Sequence, residues 1–184
     1  MSIARQPSGQ AYSNLGTALY YAGRYEEAAQ ALEKAVELRP RYFVYWRNLG
    51  DAYRWVKGGN AKATLAFEKA IGFCDEAIRV NSADAFAHAL KGGALAKLGR
   101  ERQARASILR ALELEPKDPT LAYEAALVAN LSGSEEEAAT RLAQSLRLGF
   151  NPSDAEHDPE FANMRKSGTL QAVIRDFRST TQDK

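Results

Sequence analysis

The sequence holds one cysteine, Cys74, among its 184 residues, so no internal disulfide can form. With His88 and His157 as the only histidines, soft ligands are too few for a structural zinc site, and no metal or cofactor is expected. No apolar run approaches the roughly 20 residues needed to cross a bilayer. The opening residues, MSIARQPSG, lack the apolar stretch of a secretory signal, so the expected setting is cytoplasmic and away from membranes. Neither charge sign dominates. The 25 basic and 23 acidic residues are mixed along the chain and leave a net charge of +2, without the concentrated positive face of a nucleic-acid binder, and no nucleic-acid partner is expected. A glycine-rich phosphate loop, a nucleophile elbow and an HExxH pair are all missing, so catalysis has no visible home and the chain is not expected to be an enzyme. The alternating pattern of a half-buried strand is absent as well. What remains, at 45% hydrophobic and 26% charged residues, is a folded helical protein and not a disordered one.

Self-similarity supplies the organisation. Tyr12, Leu15, Gly16 and Leu19 recur as Trp46, Leu49, Gly50 and Tyr53, each displaced by 34 positions. Within the first unit Gly23 breaks one helix, and Ala28, Leu32, Ala35, Val36 and Leu38 then follow at helical spacing until Pro40 stops the second. The same period returns where Gly99, Ala104, Ile108, Leu112 and Leu114 recur as Gly133, Ala138, Leu142, Leu146 and Leu148. Two helices of a hairpin approach closely only where small residues sit at the crossing, which accounts for Gly16, Ala28 and Ala35. A single such unit cannot bury its own apolar stripe, so units must stack, and at least about three are needed.

Two departures carry information. Gly50 and Gly92 stand 42 residues apart, eight more than the period, and no breaker interrupts Ala63, Phe67, Ala70, Phe73, Ala77, Ile78 and Val80. The second helix of the second unit is therefore expected to run from about Ala61 to Val80, some 30 Å. It either protrudes as a partner site or packs on the next unit. At the other departure, Gly149-Phe150-Asn151-Pro152 ends a helix, Asp158-Pro159 offers an N-cap with a first-turn proline, and Gly168 separates a short helix from a final one marked by Leu170, Val173, Ile174 and Phe177. This segment reads as a cap over the last unit.

These residues resemble the tetratricopeptide repeat family, with its aromatic, Leu-Gly pair, Tyr, small-large-small trio and terminal Pro. The resemblance implies an all-α, right-handed superhelix (an α-solenoid) of four helix pairs plus capping helices. Its expected divisions are a flexible N-terminus over 1–8, repeats over 9–42, 43–84, 85–118 and 119–152, and the cap over 153–184. It also implies a protein–protein interaction scaffold that holds a partner peptide or helix in a groove; a homo-oligomer is left open. The stretch from Gly149 to Arg165 is similar to the closing module of repeat arrays in bacterial multidomain proteins, which follow a Ser/Thr kinase, a nucleotide cyclase or a transcriptional regulator, so a regulatory C-terminal part of a larger signalling protein is the alternative. The family's groove positions, carried onto this chain, select Tyr20, Tyr21, Arg47, Asp51, Arg54, Trp55 and Tyr123 as the partner-binding residues. Leu127 and Asn130 fall on the same positions. The family's set for the acidic tails of chaperones is not matched, since Asp51 stands where an asparagine belongs and the third unit, mainly small residues such as Ala89, Gly93 and Ala96 with Lys97, lacks the set's lysine and arginine.

Other candidates have structural explanations. Asp154, Glu156, Asp158 and Glu160 alternate like a calcium loop, but Pro159 replaces the needed glycine and Arg165 the terminal glutamate. Cys74 is expected to be an inert small hydrophobe, His88 a packing residue and His157 a solvated loop residue.

Overall fold

The structure, a computed structural model, describes residues 8–182, so the expectation for residues 1–8 lies outside the described residues except at Ser8. These residues form eleven α-helices and one 3₁₀ turn, with no strand among them, in two compact units. No described helix is long and apolar enough to cross a membrane.

The first unit extends to Phe73 and contains α1 (Gly9–Tyr21), α2 (Tyr25–Leu38), α3 (Phe43–Trp55) and most of α4 (Asn60–Val80). Ser8 caps α1 by accepting from the Ala11 amide at 3.2 Å. Close approach decides the glycines. A methyl group on Gly16 would lie 2.5 Å from Leu32 Cγ, and one on Gly50 would lie 2.5 Å from the Phe67 ring, so α1 and α3 can settle on their partners only without a side chain there. Tyr45, Leu32, Leu49 and Ala52 fill the core between α2 and α3. The Tyr53 hydroxyl donates to Glu33, and burial together with that carboxylate holds the phenol well above its ordinary pKa.

The second unit runs from Cys74 and holds the last turns of α4, then α5 (Ala85–Lys97), α6 (Glu101–Leu114), α7 (Pro119–Leu131) and α8 (Glu135–Arg147). Asp84 and Asp118 cap α5 and α7: Asp84 accepts from Ala87 N at 2.8 Å, and Asp118 from Thr120 N at 2.7 Å, with Pro119 at the first helical position. The small residues of α5, from Ala85 to Ala96, let α6 and α7 both pack on it. The long helix α4 begins at Asn60, one residue before its expected start, and ends at Val80 as expected. Its last turns do not stand free: Cys74 is buried, and Asp75 pairs with Lys91 of α5 at 2.6 Å.

The C-terminal segment contains one helix the sequence reading lacks. Asn151 accepts from Ser153 N at 3.0 Å and Pro152 opens α9 (Pro152–His157), so the motif that ends α8 also starts a helix. The expected helix after Asp158-Pro159 starts as a 3₁₀ turn over Pro159–Phe161 and continues as α10 (Ala162–Ser167). Gly168, with φ at 85°, then makes the left-handed turn into α11 (Thr169–Gln182), which packs on α8. Phe161, Met164, Leu170 and Ile174 share one buried cluster with Leu142 and Leu146.

Candidate functional site

Aromatic residues gather at the first unit's helix ends. Tyr20 and Tyr21 close α1, Tyr25 opens α2 and Trp55 closes α3. Tyr20 meets Tyr21 and Tyr25 edge to face, with ring centres 5.4 and 5.7 Å apart, and Tyr25 stacks on Trp55 at 5.9 Å with 28° between the planes. Trp55 is nevertheless 38% exposed. Tyr20, expected at the surface, is buried, because it continues the stripe of Gly9, Ser13 and Gly16 that faces the core. Tyr21, one residue on, is rotated by about 100° and stays half-buried at the rim. Tyr25 is a member of the cluster that the groove positions do not select; its only sequence signal is an aromatic two residues after the Gly23 turn.

The charged residues of the expected set behave differently from one another. Arg47 and Asp51 form a largely buried ion pair at 3.2 Å, one turn apart on α3. Arg54 is half-buried beside Trp55 in the sequence. Asp51 is thus engaged by its own helix.

Tyr123, in the second unit, is not a surface residue. Every residue from Leu121 to Asn130 is buried. Its hairpin partner α8, together with α5 and α6, packs on most of α7, and the C-terminal segment reaches what they leave open. Phe150 stacks on the Tyr123 ring at 4.1 Å with 11° between planes, Phe161 meets its edge at 5.8 Å, and the Tyr123 hydroxyl donates to Asp158. Asn130 donates to the Glu160 carbonyl at 2.7 Å and exchanges hydrogen bonds with the Asn163 amide. Arg165 fixes the bend by donating to the carbonyls of Glu156 and Asp158 at 3.0 and 2.8 Å. Tyr123, Leu127 and Asn130 therefore bind a segment of their own chain. Asp158 and Glu160, half of the alternating acidic run, are buried in this joint. Of the others, Asp154 has its pKa raised by burial, against which the Asn151 amide and His157 act. Hydrogen bonds from Ser167 and Thr169 hold Glu135, at the start of α8, below the usual carboxylate range.

Residues 9–42 match a family described as "Tetratricopeptide repeat", and residues 90–155 match a second family of the same description, together more than half of the chain. The chain belongs to the tetratricopeptide repeat family. Such repeats are protein–protein interaction modules and are typically non-catalytic. Among solved structures, a thermophilic tetratricopeptide-repeat protein of Thermus thermophilus, TTC0263, aligns at 23% identity over 89% of this chain and 100% of its own, with a TM-score of 0.50, and shares the fold. MamA from Desulfovibrio magneticus RS-1 aligns at 15% identity over 98% and 99% of the two chains, with a TM-score of 0.48. Among curated protein sequences none matches this chain.

Proposed function

We propose that this chain holds a segment of another protein against the aromatic end of its first unit, where Tyr21, Tyr25, Arg54 and Trp55 make the contact. The observation that carries the reading is Trp55, exposed by 38% yet braced flat against Tyr25. A rigid, half-solvated indole offers large contact area at little cost in side-chain entropy, and Trp, Tyr and Arg are the residues that most often dominate binding energy. Tyr20 supports this surface, its ring meeting those of Tyr21 and Tyr25 edge to face. On this reading the chain works in the cytoplasm as a scaffold, does no chemistry of its own and needs no cofactor.

The test places a photo-crosslinking amino acid at position 55 in the native cell and identifies the captured partner, with position 109 as the control. The Arg54→Ala/Trp55→Ala double variant should keep its helical circular dichroism and bind that partner more weakly by about 2 kcal/mol or more. Full-strength binding by the folded variant would remove the contact from this end of α3.

A further inference from the structure

Among the described helices, α1 alone carries no Asp, Glu, Lys or Arg. The gap runs from Gln6 to Gly23, 18 residues in a chain that is 26% charged, where about five charges would be expected. The nearest match in composition is α7, whose one charge is Glu124, and α7 is buried from Leu121 to Asn130 under α5, α6, α8 and the C-terminal segment. The described residues give α1 no such cover. It packs on α2 and touches α3, and Ala11, Leu15 and Ala18, at i, i+4 and i+7, form an exposed stripe away from them, with Leu15 51% exposed. Tyr12 and Leu19, half-buried against the first unit's core, border the stripe on one side. On its other side the Gln10 amide donates to Asn14 at 2.8 Å, so these two polar side chains engage each other.

An apolar stripe with no charge on its helix gives a charged partner nothing to recognise, whereas it suits a copy of itself. A two-fold contact sets each residue against itself or its symmetry mate, so like charges on the paired helices would face one another, and α1 has none. In an antiparallel pairing centred on Leu15, the two leucines meet, and Ala11 and Ala18, about one turn to either side, are small enough to let the helices close around them. We propose that α1 of one copy pairs in this way with α1 of a second copy, making a two-fold dimer. The contact consumes the same face on both chains, so association stops at two. Tyr21 lies about 120° around α1 from Leu15 and Trp55 lies on α3, so the dimer contact stands or falls independently of the partner surface.

The experiment is sedimentation equilibrium on the full chain. A contact of one helix from each copy is small for a specific interface, so association from 20.2 kDa to twice that mass, and no further, should appear between about 5 and about 500 µM. Leu15→Glu, at an exposed position, should lower the association constant at least about tenfold, because it brings two carboxylates together at the centre of the contact. Leu65→Glu, at the 59% exposed leucine of α4, and Trp55→Ala should leave association unchanged. Raising salt from about 50 to about 500 mM should not weaken it, since no charged pair holds it. Mild oxidation should link Leu15→Cys chains into disulfide dimers faster than Leu65→Cys chains, because only the former thiols face each other across the two-fold axis. A monomer throughout the range, growth past the dimer, weakening by salt, full association of Leu15→Glu with native circular dichroism, or faster cross-linking at position 65 would each overturn the assignment.

Discussion

Phe161→Ala asks whether the C-terminal segment is part of the second unit's core or an appendage to it. The Phe161 side chain is fully buried, against the edge of Tyr123 and among Met164, Leu170, Leu142 and Leu146. Truncation removes the transfer free energy of the ring and leaves a cavity that Tyr123, stacked on Phe150, cannot collapse into without losing its bond to Asp158. Fully buried Phe→Ala changes cost about 3–5 kcal/mol, and the rigid lining places this one in the upper half. Against a domain stability of about 5–15 kcal/mol, that is a large fraction.

Urea unfolding followed by far-ultraviolet circular dichroism reads the loss, and a thermal midpoint lower by roughly 10–20 °C should accompany it. Phe177→Ala is the comparison: this partly buried residue lies on the edge of the same cluster and should cost about 1 kcal/mol. If Phe161→Ala lost less than about 1 kcal/mol, the segment would not belong to the core, and the complete burial of α7 would need another cause.

Gly50→Ala places a methyl group 2.5 Å from the Phe67 ring, which must move within a filled core; we expect a loss of about 1–3 kcal/mol in urea unfolding, and a neutral result would show that α3 and α4 pack less tightly than described. Tyr53 titrates above its ordinary value of 10.0 in the folded chain, first because it is buried and then because of Glu33, so proton binding favours the fold. Its contribution is complete below that ordinary value and is lost as the pH rises past it; Tyr53→Phe should unfold less steeply with rising alkalinity and lose one late-titrating phenol in ultraviolet titration, whereas an unchanged titration curve would refute the shift.

Much of the fold is legible in the sequence because close approach demands particular residues. The recurrence of Gly16 as Gly50 marks the helix crossings, and both glycines face side chains that leave no space for a methyl group. The end of α4 at Val80 and the final helix with Leu170 and Ile174 follow from uninterrupted periodicity in the same way. Burial that depends on a neighbour is not legible. Leu15 and Leu49 share one repeat position, yet Leu15 is 51% exposed and Leu49 only 3%, because Leu49 faces the core of α2 and α3 while Leu15 lies on the side of α1 that neither helix covers. Part of the candidate site is illegible for the same reason. A repeat position names Tyr20, Asp51 and Tyr123 as surface residues; one turns inward by a single step of helix, one pairs with Arg47, and the third meets Asp158, which lies 35 residues away and shares no periodicity with it.

That last contact bears on how the second unit can bind anything. The C-terminal segment occupies the side chains of Tyr123, Leu127 and Asn130, so a partner reaching this face of α7 would have to displace it. Displacement exposes Phe161, Met164, Leu170 and Ile174, all buried in the cluster with Leu142, at about 1.5–3 kcal/mol each, or about 6–12 kcal/mol together. A peptide of micromolar affinity offers about 8 kcal/mol at the 1 M standard state and much less at working concentration. The segment should therefore stay in place against any ordinary ligand. A labelled peptide copying residues 150–163, added in trans to the full chain at about a hundredfold excess over the micromolar range, should not be taken up, and the backbone amides of α7 should keep their protection in hydrogen exchange. Uptake of the peptide with loss of that protection would show the segment to be exchangeable, and would return Tyr123 and Asn130 to the set of residues a partner can reach.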